Sequence, residues 1–241
     1  MQRISSTRVV PRRFTAARED GNHGKNLALT LLKADATSEP MSLIRTVCVY
    51  CGSSPGTSPA FVEAARQFGA ILAQNKIGLV YGGGSGGLMG AIAAAVSERN
   101  GQVTAIIPEF LKQRERLYTG AQEIIVTRDM HERKRTMFDR ADAFVALPGG
   151  IGTLEELVEQ LTWAQLGRHK KPILMLNIDG FWDPLVELID HMRNLGFIHS
   201  ELLFDYMVAR KVDEILPMLT AAMKKVPEPA QREGAPIIER L

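Results

Sequence analysis

Two short segments of this sequence combine residue types that could bind a phosphate group and break a bond. Residues 131–134 read His-Glu-Arg-Lys, and residues 148–156 form a glycine turn, PGGIG, that continues into TLEE. A glycine turn that leads into a helix presents free backbone N–H groups and the positive end of the helix dipole, which suits a phosphate. Two carboxylates, Glu155 and Glu156, and a fixed cation, Arg133, near such a turn favour a site that breaks a bond as well as binding a ligand.

Both segments also have simpler structural explanations. Thr153 is well placed to cap a helix or to donate to a phosphate. Glu155 and Glu156 are predicted in the first helical turn, where the dipole favours a carboxylate by about 0.3–1 kcal/mol. Cations at a helix start are unfavourable, so residues 133–134 require an anionic ligand or a carboxylate partner. His131 has no second ligand at metal spacing, so we predict a structural or solvent-facing histidine and no metal site.

A second glycine run, residues 82–87, follows an apolar run and matches GxGxxG through Gly82, Gly84 and Gly87. This pattern is typical of a dinucleotide site, and Glu109 lies near the distance expected of a ribose-binding acid. Five glycines in six residues match many patterns, and a tight turn with close helix packing is the structural alternative. We favour contact with a phosphate or mononucleotide over a full dinucleotide site. No GxxxxGK[ST] motif occurs, so a triphosphate site of that type is not predicted.

The elements around these motifs alternate between short apolar runs and segments of helical spacing. The predicted strands are 46–50, 77–81, 103–107, 124–126, 143–147, 173–176 and 206–209. The predicted helices are 59–74, 88–99, 130–140, 153–166, 182–195 and 212–225. Apolar strands that alternate with helices indicate a parallel sheet covered on both faces, so we predict an α/β fold: a doubly wound parallel sheet in three αβα layers.

Ligands of such sheets bind outside the carboxyl ends of the strands, near the point where the strand order reverses. Three loops of small residues occupy predicted strand ends, after Tyr50, Tyr81 and Leu147. We expect them to converge on one crevice. The candidate ligand contacts in the first two loops are Gly52, Ser53, Gly83, Gly84 and Gly86.

Length and composition limit the number of domains and the kinds of partner that this chain could have. The chain has 241 residues, 45% hydrophobic, which suits one domain, assigned to residues 41–226. Residues 1–40 show no sustained periodicity and are predicted to be a disordered, dispensable extension, with a transit peptide as the alternative. Residues 227–241 are predicted to be a loose tail. The first 40 residues carry seven Lys/Arg and four Asp/Glu, which leaves a balanced body with no sign of a nucleic-acid surface.

No apolar run reaches the length of a membrane span, so no membrane partner is expected. The two cysteines, Cys48 and Cys51, cannot build a disulfide framework or a Cys-rich zinc site. A reducing compartment, the cytoplasm, fits this composition best.

PGGIGTLEE matches a PGGxGTxxE signature, and together with MHERK at 130–134 it resembles the LOG (Lonely guy) family. These are cytokinin riboside 5′-monophosphate phosphoribohydrolases, often mislabelled as lysine decarboxylases. The likeness extends to YCGSSPG (50–56), YGGGSGGLMG (81–90) and LTWAQLG (161–167), and it covers about residues 45–212. It implies a Rossmann-like fold, a homodimer, no metal or redox cofactor, and cleavage of the N-glycosidic bond in N6-substituted or plain AMP.

The resemblance also implies roles for individual residues. Arg133 and Glu156 match the catalytic pair. The positions that match or adjoin the family's nucleotide contacts are Lys134, Gly149, Gly150, Ile151, Gly152, Thr153, Leu154, Glu155, Thr162 and Glu115. Met130, Met137 and Trp163 are candidates for the wall of a base pocket, with core or dimer packing as the alternative.

Cleavage of an N-glycosidic bond builds positive charge on the ribose, which a carboxylate can stabilise while it orients or deprotonates water. We assign this role to Glu156, and Arg133 either assists the departing base or holds Glu156 ionised. Three other classes stay open: a nucleotide carrier or sensor without turnover, a dinucleotide oxidoreductase, and a pyridoxal phosphate decarboxylase, for which no lysine has a suitable setting. The sequence leaves the choice between cytokinin nucleotides and AMP open.

Overall fold

The computed structural model describes residues 44–112, 116–198 and 206–225. Seven strands form one parallel sheet: β1 (Thr46–Tyr50), β2 (Gly78–Tyr81), β3 (Val103–Pro108), β4 (Glu123–Thr127), β5 (Ala143–Ala146), β6 (Ile173–Leu176) and β7 (Tyr206–Ala209). Six α-helices are described: α1 (Pro59–Gln74), α2 (Gly87–Ser97), α3 (Met130–Arg140), α4 (Ile151–Gln165), α5 (Asp183–Asn194) and α6 (Ile215–Lys225). Short 3₁₀ turns lie at Glu109–Leu111, Ile178–Gly180 and Val212–Glu214.

The sheet has a hydrophobic core on each face, as a doubly wound fold requires. In β1, Val47 and Val49 join the core built with α1, α2 and α6. The alternate residues of the strand, Cys48 and Tyr50, join the core built with α3, α4 and α5. Because successive side chains of a strand point to opposite faces, a strand buried on both faces must be apolar throughout. The predicted three-layer α/β fold is confirmed.

The strand order is β4-β3-β2-β1-β5-β6-β7, so the chain reverses direction across the sheet between β1 and β5. The loops after these two strands are joined there by backbone hydrogen bonds. Leu147 N donates to Tyr50 O at 2.9 Å, and Gly52 N donates to Pro148 O at 3.0 Å. The glycine turn at 148–152 therefore begins at the switch point, where doubly wound sheets bind ligands.

Several predicted boundaries need correction. Helix α4 begins at Ile151 instead of Thr153, because the backbone is already extended at Gly150, the N-cap, and turns helical directly after it. Helix α2 begins at Gly87, and the last helix begins at Ile215 because residues 212–214 form a 3₁₀ turn. The predicted extension 1–40 and tail 227–241 lie outside the described residues.

No helix in the described ranges is long and apolar enough to cross a membrane.

Gly87 lies where the loop after β1 packs against the start of α2, and its φ of 54° is in the left-handed region. A Cβ there would overlap the backbone of Ser53 and Ser54. Gly167, just after α4, has a φ of 71° but nothing within 4 Å of the corresponding position. A comparison of substitutions at Gly87 and Gly167 therefore separates the cost of the left-handed backbone from the cost of steric overlap.

We therefore predict that Gly167→Ala lowers the free energy of unfolding by about 1–2 kcal/mol, the cost of the left-handed conformation alone. Gly87→Ala should add a further ~1–3 kcal/mol because the backbone must shift to accept the methyl group. Urea unfolding followed by circular dichroism measures both values. Equal costs for the two variants would contradict the close approach at Gly87.

Candidate active site

Helix α3 positions the cation of the site. Asp129, the N-cap, accepts a hydrogen bond from Glu132 N at 2.8 Å, which fixes the start of the helix. Arg133 then points inward with 10% of its side chain exposed, and its Nε donates to Ile106 O of β3 at 3.2 Å. A Cβ at Gly82 would overlap the Arg133 guanidinium, so the first residue of the second glycine run makes room for this cation.

Helix α4 supplies the opposing carboxylate. Its buried face carries Thr153, Glu156, Leu157, Gln160 and Leu161, residues at the three- and four-residue spacing of one helix side. Glu156 has 11% of its side chain exposed, and its Oε1 lies 3.5 Å from Arg133 Nη1. The two groups form an ion pair that is too long for a tight hydrogen bond. The charges predicted from two distant segments therefore meet at the switch point.

Burial dominates the electrostatics of Glu156. Desolvation raises the pKa of this carboxyl group to about 7, and Arg133, the next largest influence, opposes it. The neighbouring carboxylates Glu155 and Glu159 raise the pKa further, whereas Lys134 lowers it. A carboxyl group that titrates near neutral pH can exchange protons with a substrate or a water molecule, which is the property of a general acid or base.

Lys134, the residue after Arg133, reaches two carboxylates of α4. Its Nζ lies 2.7 Å from Glu155 Oε1 and 2.9 Å from Glu159 Oε1. Desolvation lowers its pKa, but the hydrogen bonds to these carboxylates outweigh that effect, so the net shift is upward. The expected carboxylate partners of the cations at the start of α3 are therefore present, and they stand on α4.

The N-termini of α2 and α4 differ in what occupies their backbone N–H groups. At α2, Leu88 N and Met89 N both donate to Gly52 O, at 3.0 and 3.2 Å. At α4, no group within the described ranges accepts from the N–H groups of residues 151–153. A Cβ at Gly150 or Gly152 would meet nothing within 4 Å, so space lies open before this helix start. The α4 terminus is free to bind an anion, and most of the α2 terminus is already occupied.

Two sequence expectations about this turn are wrong. Thr153 is not the helix cap, because Gly150 is the N-cap and Thr153 is the third helical residue, 5% exposed beside Gly149. Glu155 and Glu156 lie in the second turn, since α4 begins two residues earlier than expected and its first turn holds no acid. Stabilisation of the helix dipole therefore does not explain the two carboxylates.

The remaining predicted residues divide into those near the Arg133–Glu156 pair and those away from it. Met130 lies beside the pair, with its sulfur 3.8 Å from Arg133 Nη1. Gly52 packs against Gly149. The carbonyl of Gly83 accepts a hydrogen bond from Tyr118 N, and Gly84 forms an isolated antiparallel β-bridge with Leu117. Ser53 and Gly86 are exposed, and a Cβ at Gly86 would lie 2.9 Å from the Ser53 carbonyl oxygen.

Thr162 is exposed on α4, and its hydroxyl donates to Val158 O. It lies six residues beyond Glu156, so at about 100° per residue it faces another side of the helix. Glu115 lies outside the described residues. Met137 is fully buried in the core, and Trp163 packs edge-on against Phe138, so both have the packing role that was the alternative to a pocket wall.

His131 and Glu109 are both exposed, as surface residues. Glu109 forms an ion pair with Lys112 at 3.2 Å, which gives the dinucleotide interpretation no support. The sequence reasoning missed Glu159, although its position four residues after Glu155 places both carboxylates on one helix side. It also missed the carbonyl of Ile106, which accepts a hydrogen bond from Arg133 Nε, because every residue has a backbone carbonyl and the residue type does not show which one is used.

The buried Glu156 makes stability depend on pH. Its pKa rises from an ordinary 4.5 to about 7 in the folded state, so the folded chain binds this proton more tightly than the unfolded chain. Stability is therefore lost as pH rises from about 4.5 to 7 and is constant above that range. We predict that the free energy of unfolding of Glu156→Gln, relative to the unsubstituted chain, increases by about 3 kcal/mol across this window.

Urea unfolding at intervals from pH 4 to pH 8 measures this difference, with Glu98→Gln as the control because Glu98 is a well-exposed surface carboxylate. A stability difference that does not change with pH would show that Glu156 titrates normally.

Comparisons with known proteins show which sequences and folds this chain resembles. The family model described as "Possible lysine decarboxylase" matches residues 89–219. A probable cytokinin riboside 5′-monophosphate phosphoribohydrolase, LOG4 of Oryza sativa subsp. japonica, is 45% identical over 179 residues, 74% of this chain and 78% of that protein. Cytokinin riboside 5′-monophosphate phosphoribohydrolase LOG2 of Arabidopsis thaliana is 44% identical over 187 residues, 78% of this chain and 88% of that protein.

Among solved structures, the molybdenum cofactor carrier protein of Chlamydomonas reinhardtii superposes with a TM-score of 0.57 at 20% identity, over 75% of this chain and 98% of that one. The molybdenum cofactor binding protein of Rippkaea orientalis gives a TM-score of 0.54 at 19% identity, over 73% and 95% of the two chains. These similarities show the fold alone. The length and identity of the sequence matches show more: the chain belongs to the LOG family of cytokinin riboside 5′-monophosphate phosphoribohydrolases.

Proposed function

We propose that this chain hydrolyses the N-glycosidic bond of adenosine 5′-monophosphates, either N6-substituted or plain, to free base and ribose 5-phosphate. The observation that carries the proposal is the buried Arg133–Glu156 pair beside the open N-terminus of α4. Its relatives, 43–49% identical, are named as phosphoribohydrolases of this kind.

The phosphate of the substrate would bind at the start of α4. The free N–H groups of residues 151–153 and the open space at Gly150 and Gly152 support this placement. Glu156 follows Ile151 by five residues, which is about 7.5 Å along the helix axis. A ribose ring can span that separation, so a phosphate at the helix start leaves C1′ near Glu156. Binding energy from the phosphate then positions the reacting bond.

In the chemical step, water attacks C1′ as the bond from C1′ to N9 of the base breaks. The electron pair of that bond goes to the base, which takes up a proton, and the ribose develops oxocarbenium character. Glu156, as a carboxylate, stabilises this charge and accepts a proton from the attacking water. Arg133 stabilises the ionised form of Glu156 at 3.5 Å. The overall balance is nucleotide plus water to base plus ribose 5-phosphate, with no redox change.

A homodimer is also part of this proposal. Three exposed apolar side chains lie along one side of α4 and its C-cap: Ile151, Val158 and the C-cap residue Leu166. Exposed apolar rows of this kind favour a protein contact. Thr162 lies between Val158 and Leu166 on the same side of the helix.

The decisive experiment is to incubate the purified chain with AMP and, separately, with isopentenyl-AMP, and to separate the products by chromatography. Free base and ribose 5-phosphate should appear in equal amounts. The ratio of the two rates also decides the preference for a cytokinin nucleotide. Binding of AMP without release of base would contradict the proposal and identify a carrier or sensor instead.

Glu156→Gln should bind AMP nearly as well as the unsubstituted chain but lose turnover by about 10²–10⁴-fold, the usual contribution of a general base. The amide keeps the shape of the side chain and removes its basicity. Calorimetry measures binding, and product analysis measures turnover, with Glu98→Gln again as the control. Near-normal turnover in Glu156→Gln would remove Glu156 from the mechanism, and an unchanged rate for Arg133→Ala would remove Arg133.

The rate should also depend on pH through Glu156. Because its pKa is about 7, the carboxyl group is protonated and inactive at lower pH. We predict that kcat/KM rises with pH and levels off above about pH 7, and that the residual activity of Glu156→Gln lacks this rise. A kcat/KM value that stays constant from pH 5 to pH 8 would contradict the assignment of Glu156 as the base.

A further inference from the structure

The contacts of the proposed site account for the phosphate and the ribose of the nucleotide but not for its base. The start of α4 has open space for the phosphate, and Arg133 and Glu156 lie beside the reacting bond. A purine is a flat ring that proteins hold by stacking an aromatic side chain against its face. An exposed aromatic ring near the carboxyl ends of the strands is therefore the expected partner of the base.

Phe110 is a ring of this kind. It lies two residues beyond Pro108, the last residue of β3, in the 3₁₀ turn Glu109–Leu111. Its side chain is 51% exposed, and within the described ranges no second aromatic ring packs against it. An aromatic side chain in this position gives up much of the free energy of burial that a core position would provide.

The other rings near this edge of the sheet are occupied by the protein itself. Tyr50 is 3% exposed and stacks on Phe144, with ring centroids 6.0 Å apart, and Tyr81 is fully buried. The remaining rings pack against one or other of the two cores: Phe61, Tyr118, Phe181 and Trp182. Among the aromatic residues that the described ranges place here, Phe110 alone is exposed.

The strand that leads to Phe110 runs beside the Arg133–Glu156 pair. The Nε of Arg133 donates to Ile106 O at 3.2 Å, and Ile106 belongs to β3. From Ile106 to Pro108 the strand advances two residues, about 7 Å. The turn that carries Phe110 begins directly after that point, so it lies at the edge of the crevice.

Backbone hydrogen bonds fix the chain on both sides of this turn. Lys112 N donates to Glu109 O at 3.3 Å, which closes the turn itself. Further along, the carbonyl of Arg116 accepts from Ser85 N at 2.8 Å, so the chain returns to the second glycine run, beyond the end of β2. Phe110 is therefore held near the carboxyl ends of β2 and β3.

We propose that Phe110 is the ring on which the base of the nucleotide stacks. In the strand order, β5 and β3 lie on opposite sides of β1 and β2. A nucleotide with its phosphate at the start of α4, after β5, and its ribose beside Arg133 and Glu156 extends its base toward β3. This inference rests on the proposed function, because it uses the same placement of the phosphate and the ribose.

The chemistry of Phe110 determines which bases it favours. The side chain has no polar atom, so it recognises the area of the ring face and not the pattern of hydrogen-bonding groups. A purine presents a larger face than a pyrimidine, so AMP should bind more tightly than CMP. An N6 substituent leaves the face of the purine free, so the ring accepts plain and N6-substituted adenine alike.

The test measures binding by calorimetry in the Glu156→Gln chain, with AMP, CMP and ribose 5-phosphate as ligands. Adding Phe110→Ala should weaken AMP binding by about 5–150-fold, the usual effect of removing one stacked ring. CMP should lose less, and ribose 5-phosphate, which has no base, should bind as before. Phe110→Trp keeps an aromatic ring and should retain the affinity for AMP.

Phe197→Ala is the matched control. Phe197 is 78% exposed and follows the end of α5. Because α5 connects two parallel strands, its last residues lie at the opposite edge of the sheet from the crevice. This variant should bind all three ligands normally. In the chain that keeps Glu156, Phe110→Ala should raise KM for AMP with little change in kcat, because stacking acts on the ground state and the transition state alike.

Two results would overturn the inference: unchanged AMP affinity in Phe110→Ala, or an equal loss for AMP and ribose 5-phosphate. A ring that instead packs against a second copy of the chain would give the first result, together with a smaller molecular mass by light scattering. If Phe110→Ala does not fold, Phe110→Leu keeps an apolar side chain without the flat ring and should show a weaker form of the same selective loss.

The same measurements separate this inference from the proposed function. A chain that releases no base from AMP, yet loses AMP affinity selectively in Phe110→Ala, would contradict the proposed function alone. A chain that releases base at the same KM with and without Phe110 would contradict the inference alone.

Discussion

The site depends on the backbone of one residue, Gly52. Its N–H donates to Pro148 O, and its carbonyl accepts from Leu88 N and Met89 N. These three hydrogen bonds join the loops after β1 and β5 and the start of α2 at the point where the strand order reverses. Because buried backbone groups must be paired, the bonds leave little freedom in how the loops meet. The close approach also requires glycine at 87 and 149, where a side chain would overlap neighbouring backbone or the Thr153 side chain. A Cβ at Gly52 would lie 3.2 Å from Gly149 Cα, a contact tighter than usual.

This arrangement determines which helix terminus can receive an anion. The Gly52 carbonyl occupies the N-terminus of α2, whereas the N-terminus of α4 faces open space. The charged residues of the site lie on this open side. Helices α3 and α4 flank it, and Arg133 and Lys134 of α3 contact Glu156 and Glu159 of α4. Burial of Glu156 in this group is costly at neutral pH, since desolvation raises its pKa to about 7. The two cores that cover the sheet offset that cost elsewhere in the fold.

The sequence was sufficient for most of the fold because each strand is an apolar run and each helix has a periodic buried face. Helices α1 and α3 and strands β1, β6 and β7 have the predicted boundaries. The starts of α2 and α4 could not be placed, because a glycine run does not reveal which of its residues turns helical. The pairing of Arg133 with Glu156 was predicted from a family resemblance and from the convergence of strand ends. The Lys134–Glu159 contact depends on how two helices pack, and its only sign in the sequence is that Glu159 lies four residues after Glu155.

The two glycine runs show why residue type alone could not separate a dinucleotide site from a mononucleotide site. Both runs follow a strand and open a helix, and the one at 82–87 matches the better-known GxGxxG pattern. Glycine permits close approach to a neighbouring loop as readily as to a phosphate, and the pattern is the same in both cases. The difference lies in the backbone N–H groups: those of Leu88 and Met89 are bonded within the protein, while those at the start of α4 have open space before them. The glycines at 82–87 therefore bring α2 and the loop after β1 together and make room for Arg133, whereas the unbonded N–H groups lie at the run that lacks the dinucleotide pattern.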